Sequence, residues 1–228
     1  MEYKQKLQEY IDSMEADEII FVSRLYDEHF AGVSDAAFFK TIERMTKDGS
    51  LIRVSKGIYA RPEATPQQIE TGVLNFYFGE NNDAGMYIGL KMYNKYSLTG
   101  VTDNNSILYS NITKQDKKVI RRITIYRCPV ELTYDHAKII EFLEVLENYN
   151  NIPKLDKKQF IRFTSQMSKA YDDQSARQVL DSMKYQKSTI AFLKNILDKH
   201  GVSNTIGTYL SKASRYRIPE IDYGGAEI

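Results

Sequence analysis

The apolar positions of the first sixty residues change their spacing as the chain advances, and each change marks an element. Leu7, Tyr10, Ile11 and Met14 recur at helical intervals, so residues 3–14 read as a helix with one apolar face. Residues 19–22 are a short apolar run, read as a minor strand. Ser23 is placed to cap a second helix over 24–29, with Leu25 and Phe30 turned inward. The segment AGVS is a turn. Ser34 then caps a third helix, and Asp35 in its first turn suits the helix dipole. Phe38, Ile42 and Met45 form the buried stripe of that helix, which runs to Asp48 and stops at Gly49. Asp35, Ala36, Phe39, Lys40, Glu43, Arg44 and Lys47 are left nearer to solvent. Strands over 51–54 and 58–60 flank the turn Ser55-Lys56-Gly57, and Pro62 ends the hairpin.

Helix, turn, helix and hairpin in that order predict a winged helix-turn-helix, which places one helix in the DNA major groove and a wing beside it. Residues 61–68, RPEATPQQ, read as a linker. Beyond it the pattern predicts helices over 69–78 and 86–96 and strands over 107–111, 122–127 and 130–133. Helices follow over 136–149, 157–171, 176–186 and 188–200, with a further one over 205–214 and a loose tail, YGGAEI. The expected fold class is α+β. A winged helix-turn-helix domain occupies 1–64, and a mixed α/β domain over 69–222 ends in a helical bundle.

Composition narrows the class. Of 228 residues, 42% are hydrophobic and 27% charged, the profile of a globular chain with a real core. No run of apolar residues is long enough for a membrane span, and the charged start lacks the apolar core of a secretory signal. The single cysteine, Cys128, excludes an internal disulfide and suits a cytoplasmic protein. Seventeen Tyr and no Trp imply a core rim rich in hydroxyl-bearing rings.

The net charge of +1 conceals a change of sign along the chain. Residues 1–39 are acidic, whereas 40–61 hold Lys40, Arg44, Lys47, Arg53, Lys56 and Arg61 against Glu43 and Asp48. Positive charge therefore gathers on the third helix and the wing, where phosphates would lie. Helix geometry directs Ser34, Ala36, Lys40 and Thr41 toward base edges, and Arg44 and Lys47 toward phosphates. Lys56 at the wing tip would reach the backbone or the adjacent minor groove; Arg53 and Arg61 flank the wing. Asp35 and Glu43 oppose phosphates unless one of them accepts from a cytosine amino group. The competing reading is a winged helix used as a scaffold or protein-docking surface. A second basic run, Lys114, Lys117, Lys118, Arg121, Arg122 and Arg127, reads equally as another phosphate-contacting surface or as a solvated turn before a strand. Residues 151–217 are also basic, and an ordinary exposed helical face accounts for them as well as a nucleic-acid groove does.

Catalytic signatures are missing. No phosphate-cradling glycine motif, CxxC or HExxH is present, so no cofactor, metal or enzymatic activity is expected. His29, His136 and His200 are far apart and read as surface or cap residues, and Cys128 reads as a buried strand-end residue.

DEIIFVSRLY, FFKTIERMTKDG and SLIRVSKGIYARP together resemble the AbiEi-type antitoxins of type IV toxin–antitoxin systems. GMYIGLKMYNKYSLTGVTDNN, followed by ILYSN and ITIYR, is similar to that family's small-residue helix, leucine-threonine loop and strand. The loop here lacks the glutamine expected after the threonine. The resemblance covers roughly residues 15–135, with a looser fit in the C-terminal helices. It implies a transcriptional repressor that binds repeats in its own promoter as double-stranded DNA. It also implies an antitoxin domain that opposes a nearby-encoded nucleotidyltransferase-like toxin without a stable complex, in abortive phage infection. The alternative from the residues is a winged-helix protein-interaction adaptor or mobile-element accessory protein.

Overall fold

A computed structural model describes residues 2–15 and 18–221 of the chain. It is a mixed α+β protein whose described residues form two small sheets. Two compact units separate by contact: Met1–Glu80 with Val119–Ile123, and Asn81–Lys118 with Thr124–Ile228.

In the first unit, α1 (Glu2–Ser13) buries Leu7 and Ile11 completely, as its spacing requires. The short strand β1 (Ile20–Phe21) leads into α2 (Val22–Leu25), which widens into a π-helical turn over Tyr26–Phe30. Ser23 does not cap this helix: it lies inside it, and Phe21 holds the cap position without a side-chain bond. After the AGVS turn comes α3 (Asp35–Lys47), then β2 (Ile52–Ser55) and β3 (Ile58–Ala60). The sheet order is β1-β3-β2, antiparallel throughout, with a bulge between Arg53 and Ser55. Phe38, Ile42 and Met45 of α3 enter one apolar cluster with Leu7, Ile11 and Leu25.

Residues 66–68, expected as linker, are instead the first turn of α4 (Pro66–Phe78). Thr65 and Gln68 form a reciprocal capping box and Pro66 sits where a missing N–H costs nothing, so the helix starts three residues early. α4 counts with the first unit because Phe76 stacks on Phe21 and Tyr77 meets it edge-on.

In the second unit, residues 86–96 are not one helix. Gly89, at φ 65°, divides them into β4 (Gly85–Ile88) and α5 (Leu90–Lys95). β5 (Ser106–Ser110) pairs antiparallel with β4, Met86 opposite Tyr109. The basic run contributes an unexpected strand, β6 (Lys117–Ile120), before β7 (Ile123–Arg127), and the sheet order is β4-β5-β7-β6; Val119–Ile123, the tip of this hairpin, counts with the first unit. The expected strand over 130–133 does not form. The Asn111 amide donates to the Cys128 and Val130 carbonyls at 3.0 and 2.7 Å, and its oxygen accepts from Leu132 N–H at 3.1 Å. One side chain thus satisfies the backbone groups that a strand partner would have taken.

Four helices complete this unit: α6 (Tyr134–Glu147), α7 (Lys157–Lys169), α8 (Asp173–Ser182) and α9 (Lys187–Lys199). Thr133, Asp156 and Asp172 cap the first three through their side chains. The helix expected over 205–214 shrinks to a 3-10 turn, Ile206–Tyr209. The YGGAEI tail lies outside the described residues.

α6 is the central helix, with every residue from Ile139 to Leu146 buried. Phe142 meets Phe163 edge-on in a core that also holds Phe160 and Phe192. Two carboxylates are buried with it. Glu141 pairs with Lys95 and Lys138 and accepts from the Tyr96 hydroxyl. Glu144 accepts from the Tyr109 and Tyr185 hydroxyls at 3.0 and 3.2 Å. Burial raises the Glu144 carboxyl above its ordinary range, against the lowering effect of those two bonds.

That shift fixes a sign. The folded state holds the Glu144 proton more tightly than the unfolded chain, so stability falls as pH rises from the ordinary carboxylate range through the raised value. Glu144→Gln keeps an oxygen for the two tyrosines and removes the charge. Its stability relative to the parent should therefore improve between pH 4 and pH 7 in urea melts followed by circular dichroism. A gap that is constant with pH would show that Glu144 does not titrate differently on folding.

Candidate nucleic-acid interface

The geometry of α3 begins with its cap. Ser34 is extended, at φ −62° and ψ 133°, and its hydroxyl accepts from Ala37 N–H at 3.3 Å, so the helix starts at Asp35. The preceding turn is pinned by Tyr26. Its hydroxyl lies 2.7 Å from the Val33 carbonyl and 2.5 Å from the Asp35 carboxylate. The Asp35 hydrogen bond is the main reason that this phenol holds its proton above the ordinary range.

Because Phe38, Ile42 and Met45 face inward, the opposite side of α3 is exposed. At helical spacing, Ala36, Lys40, Glu43 and Lys47 run along its middle, with Arg44 on one flank and Phe39 on the other. Glu43 is the single acid in the middle of this face and forms an ion pair with Lys47 at 2.7 Å. Its carboxyl is held below the ordinary range, first by the Lys47 hydrogen bond and then by the charges of Lys47, Lys40 and Arg44. Both partners of the pair are exposed, so it is weak and exchangeable for a phosphate.

Thr41, expected toward base edges, is buried instead. It is 3% exposed, donates to the Ala37 carbonyl at 2.9 Å and lies 3.1 Å from the Tyr3 hydroxyl. It faces α1 and not the outer surface, because position 41 falls beside the Phe38 and Ile42 stripe. Ala36, Lys40, Arg44 and Lys47 share the open side of α3, and Ser34 is exposed at its cap.

The hairpin turn has two residues, Lys56 and Gly57, with Ser55 opposite Ile58. Gly57 takes φ 75°, and its carbonyl accepts from Val22 N–H at 3.1 Å, which ties the turn to the start of α2. Lys56 is left exposed at the tip. Arg53 is exposed on β2, whereas Arg61 is engaged with the Met14 carbonyl and Glu63.

The second basic group does not form one face. Lys117 and Lys118 are successive strand residues and point to opposite sides of β6. Lys117 lies over the Tyr126 ring, while Lys118 is half-buried and burial lowers its pKa. Arg121, at φ 54°, and Arg122 both pair with Glu70 on α4. Lys114 is exposed in the preceding loop. The histidines also separate. His29 is exposed against Tyr10, and His200 ends α9. His136 is buried, with its ring nitrogens 2.7 Å from the Glu131 carbonyl and 2.6 Å from Gln178 Oε1. Cys128 is buried, and burial pushes its thiol up. Among the described residues, no group of three or more His, Cys, Asp and Glu is placed to hold a metal ion. No helix among them is long and apolar enough to cross a membrane.

No family model and no curated protein matches this chain. Among solved structures it is similar to the RV2827C protein of Mycobacterium tuberculosis, with a TM-score of 0.46 and 10% identity over 89% of this chain and 78% of that one.

Loss of the Ser34 cap is expected to cost about 1 kcal/mol. A urea melt of Ser34→Ala should show this as a lower midpoint at unchanged slope. An unchanged midpoint would mean that the Ser34 hydroxyl contributes nothing to the start of α3.

Proposed function

We propose that this chain is a DNA-binding repressor of its own promoter, built on an N-terminal winged helix-turn-helix. The observation that carries the reading is the open face of α3, where Lys40, Arg44 and Lys47 stand exposed on a helix that follows a pinned turn and precedes a hairpin tipped by Lys56. Helix N-terminal side chains with cations further along match the division between base and phosphate contact in groove-entering helices. The sequence resemblance to AbiEi-type antitoxins extends the proposal. The second unit would then be the antitoxin part, opposing a nucleotidyltransferase-like toxin encoded nearby without a stable complex. A protein-docking adaptor is the second reading, favoured by the exposed apolar residues Phe39 and Ile52 of the first unit, at 45% and 40%.

A gel shift on the DNA directly upstream of the coding sequence, against an unrelated duplex at two salt concentrations, tests the reading. A specific shift is expected, and no preference over the control would move the proposal to the adaptor. Lys40→Ala and Arg44→Ala should each weaken the specific complex severalfold; full affinity in both would overturn the assignment of α3. Lys56→Ala should lower affinity on all duplexes and reduce the salt slope by about one.

Glu43→Gln should act in the opposite direction. It removes the acid from the middle of the face and frees Lys47, so affinity for any duplex should rise and the salt dependence should steepen. Weaker binding confined to particular sequences would instead identify Glu43 as an acceptor from a cytosine amino group.

A further inference from the structure

Phe39 is the large apolar side chain left outside on α3, 45% exposed beside Lys40 and Glu43. Its position is supported from below. Its ring stacks on Tyr26 at 6.1 Å and 29°, and meets Phe38 edge-on at 5.6 Å. Tyr26 is itself fixed by its bonds to Val33 and Asp35, and Phe38 is fully buried. The exposed ring is therefore held by two immobilised aromatic neighbours. Ala36 lies three residues earlier on the same side and extends the apolar strip toward the start of the helix.

Charged side chains border this strip. Lys40 stands one turn beyond Ala36, and Glu43, paired with Lys47, one turn beyond Phe39, so a partner that covers the strip and the middle of the face meets Lys40 and Lys47 as well. Duplex DNA offers both features at once: phosphates along the groove rim, and within the major groove a single apolar group, the thymine 5-methyl, which Phe and Ala contact directly. We infer that Phe39, with Ala36, is a specificity element that reads thymine methyl groups in the major groove. This rests on the DNA-binding reading above and adds the base chemistry that the open face selects.

The test uses the full chain and the duplex upstream of its gene, amplified once with dTTP and once with dUTP, so that the thymine methyls are removed outside the primers. The wild-type protein should bind the thymine duplex roughly three- to tenfold more tightly than the uracil duplex, as expected for burial of about one methyl per contact. Phe39→Ala should bind both duplexes alike, near the wild-type level on uracil, with its salt slope unchanged. Phe39→Met, which keeps an apolar side chain of similar reach, should retain part of the preference, and circular dichroism should show both variants folded.

Wild-type binding that is equal on the two duplexes would overturn the inference and leave the DNA-binding reading standing. So would a full thymine preference in Phe39→Ala. Failure of the wild-type chain to prefer either duplex over an unrelated control would overturn the DNA-binding reading and the inference together. Wild-type self-association in sedimentation that Phe39→Ala abolishes, with no thymine preference, would assign the ring to a protein contact instead.

Discussion

The first unit depends on how α3 is rotated about its own axis, and burial of one stripe decides that rotation. Phe38, Ile42 and Met45 are each 2% exposed or less and share a cluster with residues of α1, α2 and β1. Phe38 and Met45 are spaced so that turning the helix to expose either would bring Lys40 or Glu43 toward the core, where an unpaired charge is costly. The open face is thus specified by what the closed face cannot give up. Tyr26 reinforces the same rotation from the turn, and the buried Thr41 hydroxyl adds a polar contact to α1.

The second unit solves a different problem. Its central helix is buried all round from Ile139 to Leu146, so α6 must satisfy Glu141 and Glu144 inside the core. It does so with residues distant in sequence: Lys95 and Tyr96 from around α5, Tyr109 from β5 and Tyr185 from the segment before α9. The supply of tyrosine and the absence of tryptophan acquire a physical meaning here. Tyrosine rings fill core volume while their hydroxyls reach the buried carboxylates.

Periodicity made much of this legible. The stripe of α3, its serine cap, the glycine stop and the two-residue hairpin are local features, and each follows from a few adjacent residues. What escaped depended on distant partners or on competing local rules. The helix expected over 86–96 had good periodicity, but Gly89 at positive φ allowed a strand to end and a helix to begin there. The strand expected over 130–133 lost to a single amide from Asn111, which no spacing in the sequence advertises. Nearness to the helix start favours Thr41 as a groove-facing residue, whereas its angular position beside Met45, one turn away, places it inside. Phe39 was legible as nearer to solvent, since Phe38, Ile42 and Met45 already form the buried stripe.

On the proposed DNA-binding reading, the length of α3 limits how much sequence one copy of this chain can distinguish. Thirteen helical residues extend about 20 Å, and duplex DNA rises about 3.4 Å per base pair, so the helix passes about six pairs. The hairpin adds little, because its strand of four residues reaches only about 13 Å. Six pairs define about four thousand different words, whereas a genome offers on the order of a million or more competing sites. A single bound copy therefore carries too little information to single out one promoter. On the proposed reading, selectivity has to come from counting: several copies on closely spaced repeats, each of which supplies a short word that is unremarkable alone.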